Sequence, residues 1–128
     1  NNLRVQKITM NFQRDADGVL VDREEIKAYF DSRNDVTCVC GGYNNLEFTK
    51  LGADKGNGLC QLAQYLGVPV ADTIAIGDTE NDLAIIQAAG VGIAMGNATD
   101  AVKAASDDIT LSNEESGVAA ALRKYFPE

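Results

Sequence analysis

The sequence predicts an α/β protein in two parts: a small α+β unit over residues 1–50, then helices around a parallel sheet over residues 51–128. Three observations carry this reading. After about residue 53, short and almost continuous apolar runs at 73–76, 91–95 and 109–111 alternate with helical patterns. Such strands belong to a parallel sheet covered on both faces. Before that point the strands alternate apolar and polar residues, which marks a sheet with one face in water. The length of 128 residues and the 45% apolar content suit a folded chain with a modest core.

Taken in order, residues 4–12 place Val5, Ile8, Met10 and Phe12 in alternation. The last three share one side of a half-buried strand in an antiparallel or mixed sheet. Asp15-Ala16-Asp17-Gly18 reads as a turn. Asp22 with Glu25 resembles a capping box, opening a helix on which Ile26, Tyr29 and Phe30 share a face. After a polar break at 31–35, residues 36–40 and 46–49 read as strands around a Gly41-Gly42 turn. Leu59, Leu62, Ala63 and Leu66 put an apolar face on a helix that Gly67 closes. The strand at 73–76 leads to a helix carrying Leu83, Ile86 and Ala89 and ending at Gly90. Beyond the strand at 91–95, Asn97 caps a short helix containing Val102. The third strand precedes Ser112 and Glu115, a capping box for a last helix bearing Val118, Leu122 and Phe126.

Composition excludes several functions. A net charge of −8 and a pI near 4.4 repel nucleic acid and anionic lipid, so neither is expected as a partner. Histidine is absent, which removes Ser-His-Asp and Cys-His catalysis and His-based zinc sites. No apolar run reaches the length of a membrane span, and no secretory leader pattern opens the chain. Cys38, Cys40 and Cys60 read as buried free thiols of a cytoplasmic protein. The chain opens on Asn1, pointing to a longer parent protein or to trimming.

Acid–base or metal chemistry must therefore use carboxylates, lysine or hydroxyls. The strongest signal is Gly77-Asp78-Thr79-Glu80-Asn81-Asp82, directly after an apolar strand. Ligands bind beyond the carboxyl ends of strands in open α/β sheets. Asp82 lies about one helical turn from Asp78, so both can face one site. Carboxylates with open positions suit a hard octahedral cation such as Mg²⁺. The same residues also suit capping of a first helical turn. The second signal is Lys55 in Asp54-Lys55-Gly56, a lysine opening a helix, where its charge opposes the macrodipole. An ammonium there can neutralise a phosphoryl group; a solvated lysine in a glycine-rich turn is the plainer alternative. Gly92-Ile93-Ala94-Met95-Gly96-Asn97-Ala98 lacks dinucleotide-binding spacing and reads as packing plus a turn at the rim.

Leu46-Glu47-Phe48, Lys55-Gly56, Gly77-Asp78-Thr79-Glu80-Asn81-Asp82, the Gly92 to Ala98 stretch and Ser112-Asn113-Glu114-Glu115-Ser116-Gly117-Val118 occur in the order of a known family. Over about residues 45–126 the chain resembles the haloacid dehalogenase (HAD) superfamily, and within it the Cof-type subfamily IIB sugar-phosphate phosphatases. The resemblance implies a Rossmann-like, three-layer core with a parallel sheet. Residues 51–128 would be its C-terminal half, and residues 1–50 part of an α+β cap domain. It implies that Lys55 pairs with the nucleophile and the transferring phosphoryl group, that Asp78 binds Mg²⁺, that Asp82 supports the metal shell, and that Asn81 lies near the phosphate. The substrate class would be a small phosphorylated metabolite, hydrolysed through an aspartyl-phosphate.

The family's nucleophile stands in a D-x-D-G motif after a buried strand. Asp15-Ala16-Asp17-Gly18 matches that text, with Asp15 as nucleophile and Asp17 as acid–base. The preceding strand, however, alternates and is interrupted by Asn11 and Gln13, unlike a central parallel strand. The match is therefore read as a cap-domain turn, the nucleophile as missing, and the isolated chain as inactive. Three alternatives stand beside this: a capless phosphatase using Asp15, a phosphomutase of the same superfamily, and a non-catalytic remnant that binds a metal or partner. An incomplete sheet would expose apolar edges and invite self-association.

Overall fold

The structure is a computed structural model that describes residues 4–42 and 44–127. The chain divides into two compact units, Asn1–Asp54 and Lys55–Glu128.

The first unit contains strand β1 (Lys7–Asn11), helix α1 (Arg23–Asp31), β2 (Val36–Gly42) and β3 (Asn45–Lys50). The sheet is antiparallel with order β1-β3-β2. Its central strand buries Leu46 and Phe48, and Phe30 of α1 lies edge-on to Phe48 with ring centroids 4.7 Å apart. Aromatic pairs at this spacing add to the burial energy of the rings. Ile8 and Met10 pair with Phe48 and Leu46, so they point to the same face. Even so, Ile8 is 55% exposed, and every residue of β1 is exposed. The expected half-buried strand is corrected here. Helix α1 packs on β2 and β3, while β1 is an edge strand beyond that cover. Asp22 also departs from expectation. It takes a left-handed conformation (φ 61°) and makes no side-chain cap. Gly41-Gly42 ends β2 instead of forming the turn.

The second unit begins with α2 (Lys55–Leu66), followed by a 3₁₀ turn (Val70–Asp72) and β4 (Ile74–Gly77). A 3₁₀ turn (Glu80–Asp82) leads into α3 (Leu83–Ala88), then β5 (Val91–Ala94), α4 (Asp100–Ala105) and β6 (Asp108–Ile109). A last 3₁₀ turn (Asn113–Glu115) precedes α5 (Gly117–Tyr125). The three strands are parallel in the order β4-β5-β6. Central β5 buries Gly92, Ile93 and Ala94 in succession. Successive strand residues face opposite sides, so both faces of β5 are covered. Ile86 of α3 and Val102 of α4 join Ala94, Met95 and Ala98 in the core, with Ile76 and Leu83 against them.

Gly67 closes α2 at φ +68°, as expected. The predicted apolar helix faces are only partly buried. Ala63 and Ala121 are buried, whereas Leu62, Leu66, Val118, Leu122 and Phe126 are exposed. Helical spacing identifies the apolar face of a helix; a neighbour has to be present to cover it.

Candidate active site

The three strand exits of the parallel sheet carry the polar residues. At the first, β4 ends in Gly77 and the chain turns back at once. A Cβ at Gly77 would lie 2.4 Å from Cβ of Asp82, so only glycine lets the 80–82 turn fold onto the strand end. Thr79 caps that turn in extended conformation. It forms a capping box with Asp82, which answers the Thr79 N–H with its own carboxylate.

Among the described residues Asp82 is the one polar or charged residue that is buried, at 8% exposure. Burying a carboxylate is costly unless donors surround it. Asp82 has three. Its Oδ2 accepts from the backbone N–H groups of Asp78 (3.1 Å) and Thr79 (3.3 Å). Its Oδ1 accepts from the Lys55 ammonium at 2.5 Å. Burial pushes the Asp82 carboxyl upward, but the lysine and the two backbone donors outweigh it and hold the group below its ordinary range. Lys55 is the first residue of α2, and its side chain is half exposed. The charge placed against its own helix dipole is thus answered by a carboxylate 27 residues away.

Asp78 points elsewhere. Its Oδ2 accepts from Nδ2 of Asn97 at 3.2 Å, and Oδ1 has no partner among the described residues. Its carbonyl accepts from the N–H of Thr99 at 3.0 Å. Asn81 is turned inward on its own loop, with Oδ1 accepting from the Thr79 hydroxyl at 2.7 Å. The structure therefore brings Lys55, Asp78, Asn81 and Asp82 to one end of the parallel sheet. Lys55 and Asp82 are in direct contact, and Asp78 meets Asp82 through its backbone N–H.

Asn97 was expected to be a helix cap. The cap of α4 is Thr99, and Asn97 faces Asp78 instead. The signal for this was available: Gly96-Asn97 follows β5 as Gly77-Asp78 follows β4, and the exits of parallel strands converge.

Asp15 and Asp17 belong to the first unit. There the Asp15 carboxylate accepts from the N–H groups of Asp17 (3.0 Å) and Val19 (2.9 Å), closing an exposed turn with Gly18 at φ +80°. The strand before it, β1, is antiparallel and exposed. Asp15 is held as a turn residue is held.

For a metal, the donors on offer are oxygens, which suits a hard cation. Asp78 presents a carboxylate with one oxygen held and one open. The Asp82 carboxylate is engaged at both oxygens. No group of three or more His, Cys, Asp or Glu gathers among the described residues; Asp78 is the carboxylate at this strand exit with an oxygen not engaged by Lys55 or the loop N–H groups. The three cysteines are free and half-buried, and burial pushes the Cys38 thiol up. No described helix is long and apolar enough to cross a membrane.

Residues 1–122 match the family described as haloacid dehalogenase-like hydrolase. A 5-amino-6-(5-phospho-D-ribitylamino)uracil phosphatase of Bacillus subtilis is 36% identical over 98% of this chain and 50% of its own length. A haloacid dehalogenase-like hydrolase structure from B. subtilis superimposes with TM-score 0.82 at 34% identity, covering 94% of this chain and 40% of that one. A subclass IIB sugar phosphatase of the HAD superfamily superimposes with TM-score 0.81 at 26% identity, covering 97% of this chain and 44% of that one. The chain thus spans about half the length of these relatives, or less.

Proposed function

The chain belongs to the haloacid dehalogenase-like hydrolase family, and on that premise we propose that it supplies the metal and lysine side of a Mg²⁺-dependent phosphatase acting on small phosphorylated metabolites such as sugar phosphates. The observation that supports this most is the Lys55–Asp82 pair beside Asp78 at the carboxyl end of the parallel sheet. The relatives' names add support: one is a phosphatase of a phosphorylated ribityl compound, another a sugar phosphatase.

Asp78 would hold the metal through its open carboxylate oxygen. Bound there, Mg²⁺ would supply positive charge against the phosphoryl oxygens. Lys55 keeps an ammonium at the strand exit, available to the transferring group and to an attacking carboxylate. Asp82 holds that ammonium in place and keeps the 78–82 loop closed. Asn81 lies on the same loop, at the phosphate side. The reaction runs through an aspartyl-phosphate, whose aspartate is not among the residues assembled around Lys55. We place residues 1–50 as part of a cap and residues 51–128 as the C-terminal half of the core, in a cytoplasmic enzyme.

The test is hydrolysis of an aryl phosphate with Mg²⁺, using the 128-residue chain alone and mixed with a separate polypeptide bearing a D-x-D-G half of the family core. Turnover is expected only in the mixture and is lost with Asp78→Ala. Robust turnover by the chain alone, abolished by Asp15→Asn, would overturn this reading in favour of a capless phosphatase. No turnover in either preparation would favour a non-catalytic remnant.

A further inference from the structure

We infer that Asn97 is a positioning residue: it fixes the rotamer of Asp78 so that the open carboxylate oxygen faces the metal. The inference rests on the reading of Asp78 as the metal ligand and extends it to a residue outside the 78–82 motif.

The geometry begins at Gly96. A Cβ there would come within 2.7 Å of the Ser112 nitrogen and 2.9 Å of the Leu111 carbonyl carbon. Glycine thus lets the exit of β5 lie against the exit of β6, a contact sealed by Gly96 N–H donating to Leu111 O at 3.0 Å. That brings the Asn97 side chain between two strand exits. Its Oδ1 accepts from the Asn113 backbone N–H at 2.9 Å, and its Nδ2 donates to Asp78 Oδ2 at 3.2 Å. A primary amide has one acceptor end and one donor end. With the oxygen committed to a backbone donor, only the NH₂ can face Asp78. The amide is therefore oriented by the main chain and matches a carboxylate, not a second donor.

The Asn113 N–H is itself held. Ser112 and Glu115 form a capping box across the 3₁₀ turn, with the Ser112 hydroxyl donating to Glu115 Oε2 at 2.7 Å. Asp78 is fixed at its other end by Thr99 N–H on its carbonyl. A carboxylate gripped at one oxygen loses rotameric freedom before an ion arrives, so less order remains to be imposed on binding. Partners of this kind, behind a metal ligand, typically change metal affinity by 10–100-fold.

Two variants separate this role from a structural one. Asn97→Ala removes the amide from an exposed position. Asn113→Pro removes the backbone donor, with Asn113→Ala as the control for the lost side-chain amide. Asn113 is the first residue of its 3₁₀ turn, where proline is tolerated, and Ser112 before it is already extended (φ −71°, ψ 170°). The 128-residue chain is titrated with Mg²⁺ alone and followed by ¹H–¹⁵N NMR, with metal-free melting measured in parallel. The expected result is saturable binding that Asp78→Ala abolishes, that Asn97→Ala weakens about tenfold, and that Asn113→Pro weakens in the same direction. The melting temperatures of the metal-free variants stay at the wild-type value. Wild-type affinity in Asn97→Ala, with binding still dependent on Asp78, would overturn the role of Asn97 and leave the metal reading intact. No Asp78-dependent binding in the wild type would overturn both.

Discussion

The buried carboxylate of Asp82 sets the local energetics. It accepts from one ammonium and two backbone N–H groups, and each charge-assisted bond is stronger than a neutral one. Because its folded carboxyl lies below the ordinary value, the charged form is the one the fold prefers. The stabilisation is complete above the unfolded carboxylate range and is lost as the pH falls through the lower, folded value. Asp82→Asn keeps an acceptor for the backbone but loses the pairing with Lys55. It is expected to cost about 1–3 kcal/mol in urea denaturation at pH 7. Its acid-unfolding profile should also be flatter than the wild type's across the carboxylate range. Equal pH slopes for the two proteins would remove Asp82 from this role. At this scale the sequence was readable where carboxylates stood at a strand exit, as with Asp78 and Asp82, and where a lysine opened a helix against its dipole, as with Lys55. Asn97 is harder to read because asparagine ahead of a helix is also a good cap; the matching positions of Gly96-Asn97 and Gly77-Asp78 at neighbouring strand exits, with Thr99 able to cap the helix, are what separate the two roles.

The elements depend on close backbone approach. The 80–82 turn folds over the end of β4 because Gly77 has no side chain, and any Cβ there collides with Asp82. Gly77→Ala is expected to destabilise the second unit by about 1–3 kcal/mol, the range for overpacking. It should also weaken Mg²⁺ binding, since the strand end and the Asp78 loop must separate. Calorimetry and the NMR titration check this, and wild-type values in both would exclude it. The strands of the second unit were legible because β5 is apolar on both faces, and the Ser112–Glu115 box because its spacing is specific, although it caps the 3₁₀ turn at 113–115 and the last helix starts beyond it at Gly117. The burial of helix faces was not. Val118, Leu122 and Phe126 fall at helical spacing along the last helix, yet they are exposed. Likewise Ile8 and Met10 alternate properly on β1 but lie beyond the cover of α1. Periodicity encodes a direction; the partner that covers it is a separate stretch of polypeptide.

Across the whole molecule, both units show apolar side chains to solvent: Ile8 and Met10 in the first, and Leu62, Leu66, Val118, Leu122 and Phe126 in the second. Apolar surface of this kind drives association. The isolated chain is expected to self-associate in sedimentation velocity runs as its concentration rises, and Leu122→Glu with Phe126→Glu should shift it toward monomer. A wild-type chain that stays monomeric at high concentration would contradict this. One feature of the sheet order has a geometric result. β4 has a single hydrogen-bonded neighbour, β5, among the described strands. A strand joining its other side in parallel would run about 4.8 Å away. With its end in register with Gly77, the residue just beyond it would lie level with Asp78. An aspartate carried on such a tip would arrive next to the open oxygen of Asp78 by main-chain pairing alone, without a reaching loop.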